Sequence, residues 1–142
     1  MNDKVFLDTA FVLALASPSD QYHKKAKELS RQIKKEGVFL ITTRAVLIEI
    51  GDAMAGQRRR KAGITMLEAL EADQNLEITP NSEELYHNAF SLYQSRPDKE
   101  WGMTDCISFV VMKETDVDEA LTTDTHFQQA GFTALMREKI AD

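Results

Sequence analysis

Cysteine occurs once in this chain, at Cys106, so no disulfide can form within it, as suits a reducing compartment. Long apolar runs are also missing. The longest, Ala10 to Ala16, falls far short of the roughly 20 residues that span a bilayer. The charged opening Met1-Asn2-Asp3-Lys4 lacks the basic-then-apolar plan of a signal peptide. Together these absences lead us to expect a cytoplasmic protein with no membrane partner. No repeat, low-complexity tract or long Gly/Ser/Pro linker interrupts the chain, so residues 1–142 are expected to form one domain. Positive charge is in deficit, with 17 Lys and Arg against 23 Asp and Glu and a net charge of −6. A surface that is basic throughout is thereby excluded, while a local basic patch or a metal-bridged site is not.

What is present suits a compact fold. Hydrophobic residues make up 43% and charged residues 28%, too apolar for disorder. Short β-like runs alternate with helical patterns: Lys4 to Leu7, Val38 to Ile41, Leu76 to Ile78, Ala120 to Thr122 and Phe132 to Ala134. That alternation predicts an α/β fold with a mainly parallel sheet of about five strands. Tyr22, Ala26, Leu29 and Ile33 recur at helical spacing, with Ser19 or Asp20 as cap and Gly37 as stop. Thr43 is a cap for a helix carrying Val46, Ile50 and Met54, and a further helix carries Ile64, Leu67 and Leu70, the two turning around Gly56. Past Pro80, Asn81 or Ser82 caps a helix in which Leu85, Ala89 and Leu92 share a face that Tyr86, Phe90 and Tyr93 widen. Thr104 is a natural cap for the apolar stretch Cys106 to Met112.

Four acids sit beside apolar runs: Asp8 after Val5-Phe6-Leu7, Glu49 within Val46-Leu47-Ile48-Glu49-Ile50, Asp105 after Met103-Thr104, and Asp124 after Leu121-Thr122-Thr123. A charge in low dielectric is costly unless it is paired, protonated or metal-bound. In parallel α/β sheets, ligand sites form at the carboxyl ends of strands where strand order reverses. Asp8 and Asp124 each follow a strand, Asp105 falls in a first helical turn favoured by the dipole, and Glu49 can point back to the same edge. Oxygen donors alone suit Mg²⁺ or Mn²⁺, and no Cys/His spacing suits zinc. One or two such ions would serve displacement at phosphorus.

On these residues the chain resembles the PIN-domain superfamily and, within it, the VapC-type ribonuclease toxins of toxin-antitoxin systems. The likeness rests on Phe6-Leu7-Asp8-Thr9, on Thr43 with Val46 and Glu49, and on Trp101-Gly102-Met103-Thr104-Asp105-Cys106. It continues through Leu121-Thr122-Thr123-Asp124-Thr125-His126-Phe127 and Ala130-Gly131-Phe132. The resemblance implies an α/β/α sandwich and a Mg²⁺- or Mn²⁺-dependent endoribonuclease. In it, Asp8, Glu49, Asp105 and Asp124 match the acidic metal-site positions, and Thr9, Thr104 and Thr123 are supporting hydroxyls. It also implies a homodimer and an antitoxin partner of a type II pair. The alternative within the family is a non-catalytic RNA- or protein-binding module.

Secondary candidates divide between two readings each. Arg58, Arg59, Arg60 and Lys61 either contact RNA phosphates or form a solvated helix start. Trp101 either stacks a base or anchors a loop, and His126 either moves a proton or caps and packs beside Phe127. Cys106 reads as a buried structural thiol. An aspartyl phosphatase is disfavoured because Ala10 stands where a second Asp is expected. A phospho-accepting receiver is disfavoured because Ile78 leads to Thr79-Pro80 with no acid.

Overall fold

The apolar runs become strands β1 (Lys4–Leu7), β2 (Phe39–Thr43), β3 (Leu76–Thr79), β4 (Glu119–Leu121) and β5 (Thr133–Ala134). The structure, a computed structural model, describes residues 1–138. Every neighbouring pair of strands is parallel, in the order β3-β2-β1-β4-β5. Val5, Phe6 and Leu7 are all buried, because a central parallel strand covered on both faces has no solvent side toward which to alternate.

Between the strands run α1 (Thr9–Ala16), α2 (His23–Glu36), α3 (Arg44–Ala53), α4 (Gln57–Ala72), α5 (Glu83–Ser95), α6 (Met103–Glu114) and α7 (Thr125–Gln129). The path β1 to β2 to β3 steps one way across the sheet, and the path β3 to β4 to β5 steps the other. Right-handed crossovers therefore place α1 to α4 and α5 to α7 on opposite faces, which makes the expected α/β/α sandwich. Strand order reverses between β1 and β4, and this reversal locates the site discussed below.

Most helix boundaries follow local chemistry. Thr43 caps α3 by accepting the Val46 N–H at 3.1 Å, and Ser82 caps α5 by accepting the Leu85 N–H at 3.0 Å. Gly37 ends α2 in the left-handed region at φ 65°, where a glycine has no Cβ to clash. Two boundaries differ from expectation. Helix α2 begins only at His23, and Asp20 instead accepts the Tyr22 N–H at 2.8 Å. Gly102, not Thr104, precedes α6, because the Asp105 carboxylate reaches back to the Gly102 N–H at 3.2 Å. The run Ala10 to Ala16 forms the short helix α1 directly after Asp8.

Aromatic packing ties three elements of the site together. Phe109 of α6 meets Phe127 of α7 edge-on at 5.0 Å, and Phe127 lies 6.2 Å from Phe6 of β1. Such pairs add to the burial of their own large surfaces. Two expected core faces turn outward instead. Leu85 and Ala89 of α5 are buried, but Tyr86, Phe90 and Tyr93 are 50%, 37% and 48% exposed, with near-parallel rings 6.1 and 6.3 Å apart. Ile64 of α4 is 52% exposed. Each of these helices rests on its neighbour by one narrow side, and no other element of the described residues covers the rest.

For α4 that narrow side is Gly63. A Cβ added there would lie 2.9 Å from Met54 Cβ, closer than real atoms approach. Gly63→Val should therefore destabilise the protein by about 1–3 kcal/mol, read as a lower denaturant midpoint. Gly51→Ala, whose Cβ would meet only Leu67 Cδ1 at 3.6 Å, should be close to neutral. Equal midpoints for the two variants would show that close helix approach is not the constraint at Gly63.

Candidate active site

The site begins with strand register. Leu7 pairs with Leu121, so the next residues of β1 and β4, Asp8 and Thr122, emerge side by side at the carboxyl edge of the sheet. The Thr122 hydroxyl donates to Asp8 Oδ2 at 2.7 Å and accepts the Asp124 N–H at 3.0 Å. One buried hydroxyl thus joins the ends of both strands flanking the switch point. Asp8 itself is only 7% exposed. Burial pushes its carboxyl up to about 7, against the opposing hydrogen bonds from Thr122 and the Thr9 backbone, with smaller repulsion from Glu49 and Asp105.

Glu49 does not share that burial. Val46, Leu47 and Ile50 face the core while Ile48 and Glu49 are exposed, because successive helical residues turn to different sides. The expectation of an apolar setting for Glu49 is corrected accordingly. Its carboxylate is nonetheless held at the site, since Thr9 Oγ1 donates to Glu49 Oε1 at 2.5 Å.

Asp105 and Asp124 stand at two helix starts. Asp105 lies in the first turn of α6, and Asp124 caps α7 by accepting the His126 N–H at 2.8 Å. The His126 ring lies between them, its Nδ1 3.0 Å from Asp105 Oδ2 and 3.5 Å from Asp124 Oδ1. Asp105, Asp124 and His126 offer ligand atoms that all lie within 4.8 Å of one another. Asp8 and Glu49 are outside this tight trio, and Asp8 feels repulsion from both Glu49 and Asp105. Two carboxylates and an imidazole at that spacing, backed by a buried acid with no cationic partner among the described residues, fit a divalent cation.

One participant escapes a reading by composition. Thr122, rather than Thr123, supplies the bridging hydroxyl, and strand register would have revealed it had the β1–β4 pairing been known. Thr123 instead offers its carbonyl to Arg137 at 3.1 Å. His126, which the sequence left between moving a proton and capping or packing beside Phe127, turns its ring toward Asp105 and Asp124. Thr104 lines a groove with Ala45, Ile48 and Tyr86, beside the site. Trp101 is 6% exposed, lies edge-on to Phe109 at 5.1 Å and donates from Nε1 to Gln129 at 3.0 Å. Arg96 lies over its ring at 5.0 Å. Trp101 is therefore a loop anchor and is not free to stack on RNA. Arg58, Arg59, Arg60 and Lys61 are all exposed near the start of α4.

The buried acid sets a pH dependence. Asp8 ionises near 3.8 in an unfolded chain and near 7 in the folded one. Between those values the unfolded state holds fewer protons, so stability falls as pH rises, levelling above the folded value. In EDTA, Asp8→Asn should lose this part of the decline and become more stable than the parent protein at about pH 8. Urea unfolding of both proteins across the range checks it, and parallel declines would show that Asp8 is not the group responsible.

The solved structure of VapC20 from Mycobacterium tuberculosis, described as a sarcin-ricin loop cleaving toxin, superposes with a TM-score of 0.81 at 23% identity. The match covers 91% of this chain and 96% of that one, and so shows a shared fold. No curated protein sequence matches. The model of the PIN domain matches residues 5–133, nearly the whole described chain and all of the residues built into the site above. This chain belongs to the PIN domain family.

Proposed function

We propose that this protein is a metal-dependent endoribonuclease that hydrolyses RNA phosphodiester bonds and serves as the toxin of a type II toxin-antitoxin pair. The observation that supports the proposal is the clustering of Asp105 and Asp124 with His126, beside an Asp8 held by Thr122 at the β1–β4 switch point and a Glu49 tethered to Thr9. The shared fold with an RNA-cleaving toxin supports RNA as the substrate class.

In this proposal Asp105 and Asp124 hold Mg²⁺ or Mn²⁺, with Asp8 behind them and Glu49 at the exposed margin. A divalent cation bound there would supply Lewis-acid polarisation of the phosphodiester and ease ionisation of water. The chain's own groups prepare the ground for that. Thr122 fixes the Asp8 carboxylate and the α7 start in one register, and Thr9 fixes Glu49. The α6 and α7 amino termini add positive dipole ends beside the acids, which favours a phosphate there as well.

Arg58, Arg59, Arg60 and Lys61 are proposed as RNA contacts. Cations near the start of a helix oppose its dipole, and α4 has no acid in its first turn to offset them. A polyanion bound along this face would relieve that. We further propose that two copies pair through the exposed row of Tyr86, Phe90 and Tyr93 with Ile48, since apolar patches of this kind commonly mark interfaces. An antitoxin partner and a cytoplasmic setting complete the reading. Among the described residues no helix is long and apolar enough to cross a membrane.

Purified protein incubated with mixed RNAs should cleave them in Mn²⁺ or Mg²⁺ and not in EDTA. Asp105→Asn should lose at least about a hundredfold in rate, the scale on which charge-stabilising groups act. Equal cleavage by variant and parent would overturn the assignment, and no cleavage by either would favour a binding module. With Asp105→Asn used to hold RNA uncut, neutralising the four basic residues should flatten the plot of log affinity against log salt by about 0.7 per lost phosphate contact. An unchanged slope removes them from the RNA path.

A further inference from the structure

We infer that His126 is itself a ligand of the divalent cation, coordinating through Nδ1 beside Asp105 and Asp124, so that the site carries one nitrogen among its oxygens. The inference rests on the metal-dependent reading above and adds to it a residue outside the four acids.

The geometry carries it. In an octahedral site with bonds of about 2.1 Å, adjacent ligand atoms lie about 3.0 Å apart. His126 Nδ1 lies 3.0 Å from Asp105 Oδ2 and 3.5 Å from Asp124 Oδ1, and the three residues offer ligand atoms within 4.8 Å of one another, spacings that let the ring nitrogen take a corner next to each carboxylate oxygen in one coordination sphere. The ring is held there by independent means. Asp124 accepts the His126 backbone N–H at 2.8 Å, and the next residue, Phe127, is locked between Phe6 and Phe109. A side chain pinned on both sides of its own Cα approaches the acids without a search for rotamers, so little entropy is lost when a cation arrives.

The neutral imidazole can carry its proton on Nε2 and offer the Nδ1 lone pair. A nitrogen donor changes metal preference. Oxygen-only sites suit Mg²⁺ and Mn²⁺ alike, whereas a nitrogen donor disfavours Mg²⁺, the harder cation, relative to Mn²⁺, the first of the transition metals whose affinity for nitrogen sites rises along the series. The chain should therefore bind Mn²⁺ in preference to Mg²⁺, and His126 should be the reason.

Pulsed electron paramagnetic resonance of the Mn²⁺-loaded protein reads this directly, without any measurement of activity. Protein carrying ¹⁵N-histidine should show nitrogen coupling to Mn²⁺. The other two histidines are engaged elsewhere, His23 with the Ala14 carbonyl and His87 with Glu83 on α5. His126→Asn should abolish the coupling and weaken Mn²⁺ binding about tenfold or more, with a smaller effect on Mg²⁺, as measured by calorimetry. A parent protein that binds Mn²⁺ with no nitrogen coupling would overturn the inference and leave the acidic metal site standing. A His126→Asn variant with an unchanged Mn²⁺-to-Mg²⁺ preference would do the same. A parent protein that binds neither ion would overturn both readings.

Discussion

The hydrogen bond from Thr122 to Asp8 is the contact on which the site depends. It crosses the one place where the strand order of the sheet reverses, and it couples a buried carboxyl to the backbone of the residue that starts α7. Without it, the two strand ends would still lie side by side. Their acids, however, would have no common frame, and Asp8 would lose one of the bonds that partly offset its burial. A carboxyl left nearly buried and facing other acids costs stability. That cost is tolerated at functional sites because a bound cation reverses it.

The core explains why the frame is stiff. Phe6, Phe109 and Phe127 come from β1, α6 and α7, the same elements that position Asp8, Asp105 and the pair Asp124 and His126. Packing beneath the site and the placement of its acids and histidine above it are therefore set by the same three elements. Trp101 extends this arrangement, bracing the loop before α6 against Phe109 and Gln129. A residue that looked available for nucleic acid turns out to hold the start of α6 in place.

Much of the architecture was legible locally. Thr43, Ser82 and Gly37 mark their helix ends through hydrogen bonds and backbone freedom that depend on a few neighbouring residues. The central strands β1 and β2 were legible because burial on both faces demands continuous apolar runs. Helix α1 was harder, since a run that is apolar throughout has no periodicity to distinguish helix from strand. The outward aromatic row of α5 was misread for a related reason. Its spacing fits a wide buried face, and only the neighbouring elements decide how much of a face is covered.

The sequence by itself determined the kinds of chemistry at hand: four acids beside apolar runs, one thiol, a short basic cluster and no excess of positive charge. These identities determine which ions and reactions are affordable. Only the tertiary structure decided which atoms meet. It drew Asp105, Asp124 and His126 into one cluster, left Glu49 exposed on a hydroxyl tether and buried Asp8 against Thr122. The physical reason is that local signals act over a few residues, whereas contacts between β1, β4, α6 and α7 depend on strand order and register. Those follow from the packing of the whole chain.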